Sequence, residues 1–317
     1  MPQLQRVPRA ASARGTRSHT RRQDPMTRKF RTARPAAALA LLAAVTVTAT
    51  ACTAGPAQQP VAGPRAAAVT PARLSDTLPA DPVRMVLPAT GAESRWTQGL
   101  DVFVRQVQRV AAASCARDRG FTLPEQVPLA FIRYYELPDL DFIARHGTSV
   151  SAAVPAPAAR PAPARTGSAT AVRDCLAEGT AAARALRERY AGLQGQWFGT
   201  LTTLRRDPAT LDALGTLPDC LARHGVRARD ENAFFALADA RMQTSGPEGP
   251  DNALGRAYAT CMRPVEAVRE PARAGLRTRF LAAPGHADAV RAVRTALVPA
   301  LRAAQRRYGV PLVFPQP

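Results

Sequence analysis

Glu93-Ser94-Arg95-Trp96-Thr97-Gln98-Gly99-Leu100-Asp101-Val102-Phe103-Val104-Arg105-Gln106-Val107-Gln108-Arg109-Val110-Ala111-Ala112-Ala113-Ser114-Cys115-Ala116-Arg117-Asp118-Arg119 runs up to Gly120 and decides the fold class. Trp96, Leu100, Phe103, Val107 and Val110 recur at intervals of four, three, four and three, the period of one helical face. Ser114 continues that stripe and Cys115 sits beside it. Gly120 stands where a left-handed cap would end the helix.

The same period returns downstream. A second long helix is expected from Ala169, carrying Val172, Leu176, Ala183, Leu186, Tyr190 and Leu193, with Cys175 next to the stripe. Asp207-Pro208 reads as an N-cap followed by a first-turn proline. The helix it opens meets Pro218, which kinks or restarts it before Gly225. Further helices are expected at 139–146, 230–244, from about Leu254, and at 286–308. The helix from Leu254 should be interrupted at Pro264 and stopped by Pro271. No segment alternates as a strand should, so the expectation is an all-α, irregular multi-helix bundle made of two similar disulfide-linked units.

Upstream the grammar changes. Arg28, Lys29, Arg31 and Arg34 precede an uncharged run from Ala36 to Thr50, as in an export signal and short for a membrane span. The run closes on Ala49-Thr50-Ala51-Cys52, which resembles a lipobox, and that resemblance implies a diacylglycerol on Cys52 and cleavage before it. Residues 1–51 are thus expected to be a signal peptide, with Met26 the truer start and 1–25 spurious. Prolines 56, 60, 64, 71, 79, 82 and 88 mark 52–92 as a disordered tether. The folded domain should span 93–317, with a disordered insert at 148–170, where Pro155, Pro157, Pro161 and Pro163 fall.

Residues 52–317 keep 33 arginines against 23 acidic residues, a net charge of +10. Lys29 is the only lysine, so part of the arginine content reflects codon bias. A basic exported chain suits anionic partners such as a wall polymer or lipid headgroups, or an envelope protein. Export disfavours nucleic acid.

Two stretches form a weak repeat: Ser114-Cys115-Ala116-Arg117-Asp118-Arg119-Gly120-Phe121 and Asp219-Cys220-Leu221-Ala222-Arg223-His224-Gly225-Val226. Each cysteine precedes a capping glycine by five residues, and each is followed by a helical cysteine, Cys175 and Cys261. With Cys52 given to lipid, these four in an oxidising compartment should pair. Of three connectivities, the sequential one, Cys115 to Cys175 and Cys220 to Cys261, is expected because it staples both units alike. These residues resemble a family of secreted and lipid-anchored actinobacterial proteins with no assigned function. The pattern of that family is a Cys-x4-Gly-aromatic helix end, a cysteine opening an Ala/Glu helix, a Cys-Met/Leu-Arg-x-x-Gly end and a final helical cysteine. The likeness covers about Glu93 to Tyr308 and implies no catalytic residue. Pro218-Asp219 stands where that family commonly has Trp-Ser.

Candidate chemistry is sparse. His146 and His224 both end an Ala-Arg-His-Gly stretch, where an imidazole meets the dipole and terminal carbonyls of a helix. A functional reading makes them a general base or metal ligands, and an enzyme should join His146 or His224 to carboxylates such as Asp139, Glu178 or Asp219. No Cys-x2-Cys, His-x3-His, Gly-x-Ser-x-Gly or phosphate-loop pattern occurs, so no metal or cofactor is expected. The leading expectation is a non-catalytic, lipid-anchored envelope module with an arginine-rich surface. The alternative is a cell-envelope hydrolase.

Overall fold

The computed structural model describes residues 72–124, 137–148, 165–245 and 252–317. All of them belong to the unit Ala62–Pro317. The export segment, Cys52, residues 52–71 of the expected tether and most of the 148–170 stretch lie outside the described residues.

The fold is all-α apart from one pair of short strands. In chain order the elements are β1 (Arg73–Ser75), α1 (Val83–Val86), α2 (Gly91–Asp118), α3 (Leu140–His146), α4 (Ala169–Arg187), α5 (Ala191–Leu201), α6 (Pro208–Gly215), α7 (Leu217–Arg223), α8 (Glu231–Ser245), α9 (Asn252–Ala282), α10 (Ala287–Tyr308) and β2 (Phe314–Gln316). Thr90 caps α2 by accepting from the Glu93 backbone at 3.1 Å. Ser168 and Asp207 cap α4 and α6 in the same way.

Among the described residues two large apolar cores result, and a smaller cluster gathers Cys115, Ala116, Phe121 and Cys175. The first gathers Leu100, Phe103 and Val107 of α2, Leu186 of α4, Trp197 of α5, and Val293, Leu297 and Leu301 of α10. The second gathers Ile143 of α3, Leu221 of α7, Phe234 and Phe235 of α8, and Leu254, Tyr258, Met262 and Val265 of α9. Each large apolar side chain so buried contributes about 1.5–3 kcal/mol. Helix α9 starts in the second core and delivers Phe280 to the first. Close seams hold the helices: a Cβ added at Gly179 would sit 2.3 Å from the Gln108 carbonyl oxygen on α2, and one at Gly255 would sit 2.4 Å from that of Ile143 on α3.

Several expectations are corrected. The tether ends sooner than residue 92, because Val83, Met85, Val86, Leu87 and Ala89 are core. Proline does not forbid this burial, since Pro88 has no N–H to satisfy and its carbonyl takes the Trp197 indole N–H at 2.8 Å. The domain therefore begins before Glu93. The 148–170 stretch is ordered at its end, where Thr166 bridges to Thr122 and α4 starts at Ala169.

A strand pair exists, with Arg73 opposite Gln316 and Ser75 opposite Phe314. Val310, Leu312 and Phe314 are buried at every second position, an alternation too short to stand out beside the helices. Helix α9 runs through both Pro264 and Pro271. These lie seven residues apart on an exposed face, and Thr260 and Ala267, whose carbonyls lose their i+4 donors, are exposed as well. Water can satisfy what the prolines cannot. On α4 the inward stripe is Cys175, Gly179, Ala183 and Leu186, while Leu176 is 40% exposed.

Candidate functional site

The two repeat stretches fold alike. At the end of α2, Gly120 has φ 76° and its N–H reaches the Arg117 carbonyl at 2.9 Å, while Phe121 N–H reaches back to Ala116 at 3.0 Å. At the end of α7, Gly225 has φ 73°, its N–H reaches Ala222 at 2.9 Å, and Val226 N–H reaches Leu221 at 2.9 Å. This is the Schellman closure, in which a glycine without Cβ adopts the left-handed turn and the next apolar residue folds back. Phe121 and Val226 are both buried accordingly.

Each closure carries a disulfide. Cys115 is bonded to Cys175 with their Cα atoms 5.4 Å apart, and Cys220 to Cys261 at 5.6 Å. The first bond joins α2 to α4 and both of its cysteines are buried; the second joins α7 to α9 and leaves Cys220 half-buried. Four residues after the first cysteine stands Arg119, paired with Asp174 at 3.3 Å. Four residues after Cys220 stands exposed His224, and a ring nitrogen of His224 and the sulfurs of Cys220 and Cys261 lie within 4.8 Å of one another. In the oxidised state these sulfurs are bonded to each other and offer no thiolate.

Between the cores lies an ionic seam that sequence reasoning missed. Arg269, Arg273 and Arg277 follow one another at four-residue steps along α9. Arg273, 1% exposed, donates from Nε to the Ala89 carbonyl at 2.8 Å and pairs with Glu266. Arg277 donates to the Leu87 carbonyl at 3.2 Å and pairs with Glu93, whose other role is to accept the Ala89 N–H at 2.8 Å. Arg269 meets Glu231 at 3.2 Å, and the Tyr258 hydroxyl donates to the same carboxylate at 2.6 Å.

The cause is the segment 85–89, which is buried but only partly helical, so its carbonyls need side-chain donors. Thr97 supplies one for Met85 at 2.8 Å, and Trp197, Arg273 and Arg277 supply the others. Burial, then the Glu231 charge and hydrogen bond, hold the Tyr258 hydroxyl well above its ordinary pKa, so it stays a donor. Burial alone would lower Arg269, but Glu231 and Glu266 outweigh it and raise it. These carboxylates are committed to guanidinium groups and backbone N–H groups, which makes the seam a lock on the chain's entry into the fold. Its signal, Glu266-x2-Arg269-x3-Arg273-x3-Arg277, crosses Pro271, where the helix was expected to stop.

His146 is not brought together with the carboxylates singled out for catalysis. His146 is buried at the end of α3 with its ring 4.7 Å from that of Phe142. Asp139 caps the other end of α3, about 10 Å away along seven residues, and is held by Arg95 through Nε and, at 3.0 Å, Nη2. Glu178 and Asp219 are exposed on α4 and α7. On α10, Arg291, Arg294, Arg306 and Arg307 are exposed. Arg291 pairs with Asp288 at 3.0 Å and Arg294 with Asp81 at 3.1 Å. Comparison with protein-family models, curated proteins and solved structures finds no match to this chain.

Proposed function

We propose that the protein is a non-catalytic, extracytoplasmic lipoprotein: a disulfide-stapled helical module held at the membrane through Cys52, presenting an arginine-rich surface to an anionic wall polymer, lipid headgroups or an envelope protein. One observation carries this reading. Of five cysteines, four are spent on each other, and the fifth, Cys52, is the one that follows a charged n-region, an apolar run and Ala49-Thr50-Ala51. Disulfides persist in oxidising compartments, which agrees with export. Among the described residues no helix is long and apolar enough to cross a membrane, so in this reading attachment rests on the lipid. The outward arginines of α10 supply the basic face. The resemblance to secreted and lipid-anchored actinobacterial proteins points the same way. The hydrolase reading has less support, because Asp139 and the carboxylates of the seam are engaged in structural pairs.

The test is the intact mass of the membrane-fraction protein, with Cys52→Ala as the control. A diacylglyceryl-bearing N-terminal Cys52 and release of the variant from membranes are expected. An unmodified N-terminus, or unchanged partition of the variant, would contradict the reading.

A further inference from the structure

The two cysteine ends share a backbone and differ in one side chain that matters chemically. We infer that the α7 end is a redox-gated metal site: once the Cys220–Cys261 bond is reduced, the two thiolates and the His224 imidazole bind a thiophilic cation, Zn2+ in the first instance. The three donor atoms already converge to within 4.8 Å of one another. Zinc holds sulfur at about 2.3 Å and imidazole nitrogen at about 2.0–2.1 Å, so tetrahedral ligands stand roughly 3.5–3.8 Å apart. Reaching that geometry asks the open thiols to separate and His224 to close by about 1 Å.

The scaffold permits both movements. Cys220 and His224 are four residues apart and so share the face of α7 turned toward Cys261 on α9. His224 is exposed and its ring can turn, and its exposed side leaves a fourth position for water. The α2 end cannot do the same. There Arg119 takes the place of His224, both cysteines are buried, and the guanidinium is paired with Asp174; an arginine remains protonated and is no ligand.

The chemistry balances with a dithiol reductant. Its two sulfurs close to a disulfide, giving two electrons and two protons to Cys220 and Cys261. Binding of Zn2+ then displaces those two thiol protons to solvent, with His224 entering as the neutral imidazole. The inference does not depend on lipid anchoring.

The experiment uses the mature chain with Cys52→Ser, so that the Cys52 thiol does not compete. It is reduced by a phosphine, freed of reductant without oxygen, and titrated with Zn2+ against a chromophoric chelator. One Zn2+ per reduced chain and none per oxidised chain are expected. His224→Ala, an exposed change, should weaken binding by more than ~100-fold, since losing even a group that only orients a ligand costs about 10–100-fold. In the same samples Zn2+ should shield Cys220 and Cys261 from alkylation and leave Cys115 and Cys175 as reactive as before. No uptake, uptake undiminished in His224→Ala, shielding of Cys115 and Cys175 instead, or a reduced chain that stays unfolded with Zn2+ present would each overturn the inference.

Discussion

The ends of α2 and α7 are built to one plan and set in different surroundings. Both place a cysteine five residues before a left-handed glycine, and both cap residues, Arg119 and His224, have φ of −93°. At the α2 end the disulfide is sealed between two long helices and its fourth-residue neighbour is an ion-paired arginine. At the α7 end the disulfide is partly open to solvent and its neighbour is a histidine. The lesson is that a backbone motif fixes where a cysteine stands, while burial and one side chain decide what its sulfur can do.

The expected effects of mutation rank the parts of this comparison. The largest concerns the seam joining the two cores. Arg273→Ala removes the donor to the buried Ala89 carbonyl and one of the two guanidinium groups paired with buried Glu266, Arg269 being the other, and should cost about 3–5 kcal/mol; thermal unfolding checks it, and a loss under ~1 kcal/mol would show the seam to be incidental.

Next come the staples. Cys115→Ala with Cys175→Ala, and Cys220→Ala with Cys261→Ala, should each cost about 4 kcal/mol on the chain-entropy model for loops of 60 and 41 residues. Denaturant midpoints for the two double variants would break the comparison if only one bond mattered.

The helix seams should respond less. Gly179→Ala and Gly255→Ala each push a Cβ against a backbone oxygen and should cost about 1–3 kcal/mol through overpacking. A stability unchanged in either would mean that seam has slack.

The smallest effect is electrostatic. Burial raises the Asp81 carboxyl, but the hydrogen bonds from Arg294 and Val83 and the Arg294 and Arg84 charges outweigh it and leave its pKa lowered. Its contribution is therefore present above the unfolded value of about 3.9 and is lost as pH falls through the lower folded value. Arg294→Gln should flatten the fall in stability between neutral and acid pH, and an unchanged profile would assign that fall to other groups.

Much of this architecture was legible because it is local. The 3.6-residue period of Leu100, Phe103 and Val107, the Asp207-Pro208 start and the two cysteine-to-glycine ends each state their structure within a few residues. What stayed hidden is nonlocal. Leu87 and Ala89 look like tether until side chains 109 to 190 residues away take the Pro88, Ala89 and Leu87 carbonyls. Pro264 and Pro271 look like helix stops until they prove to share a solvent face. Leu176 and Cys175 exchange roles because a one-residue rotation of α4 brings Gly179 against α2, a close approach that apolar periodicity does not weigh. As for the candidate site, His224 stood out in the sequence, but its place beside the Cys220–Cys261 bond follows from α7 packing on α9.

The difference between the two cysteine ends is tested most directly by graded reduction of the folded, oxidised chain, with trapping by alkylation and peptide mapping at each step. Cys220 and Cys261 should be labelled together and first, while Cys115 and Cys175 remain joined until the fold opens. Peptides linking Cys115 to Cys220, or reduction of the Cys115–Cys175 bond ahead of the other, would contradict the account.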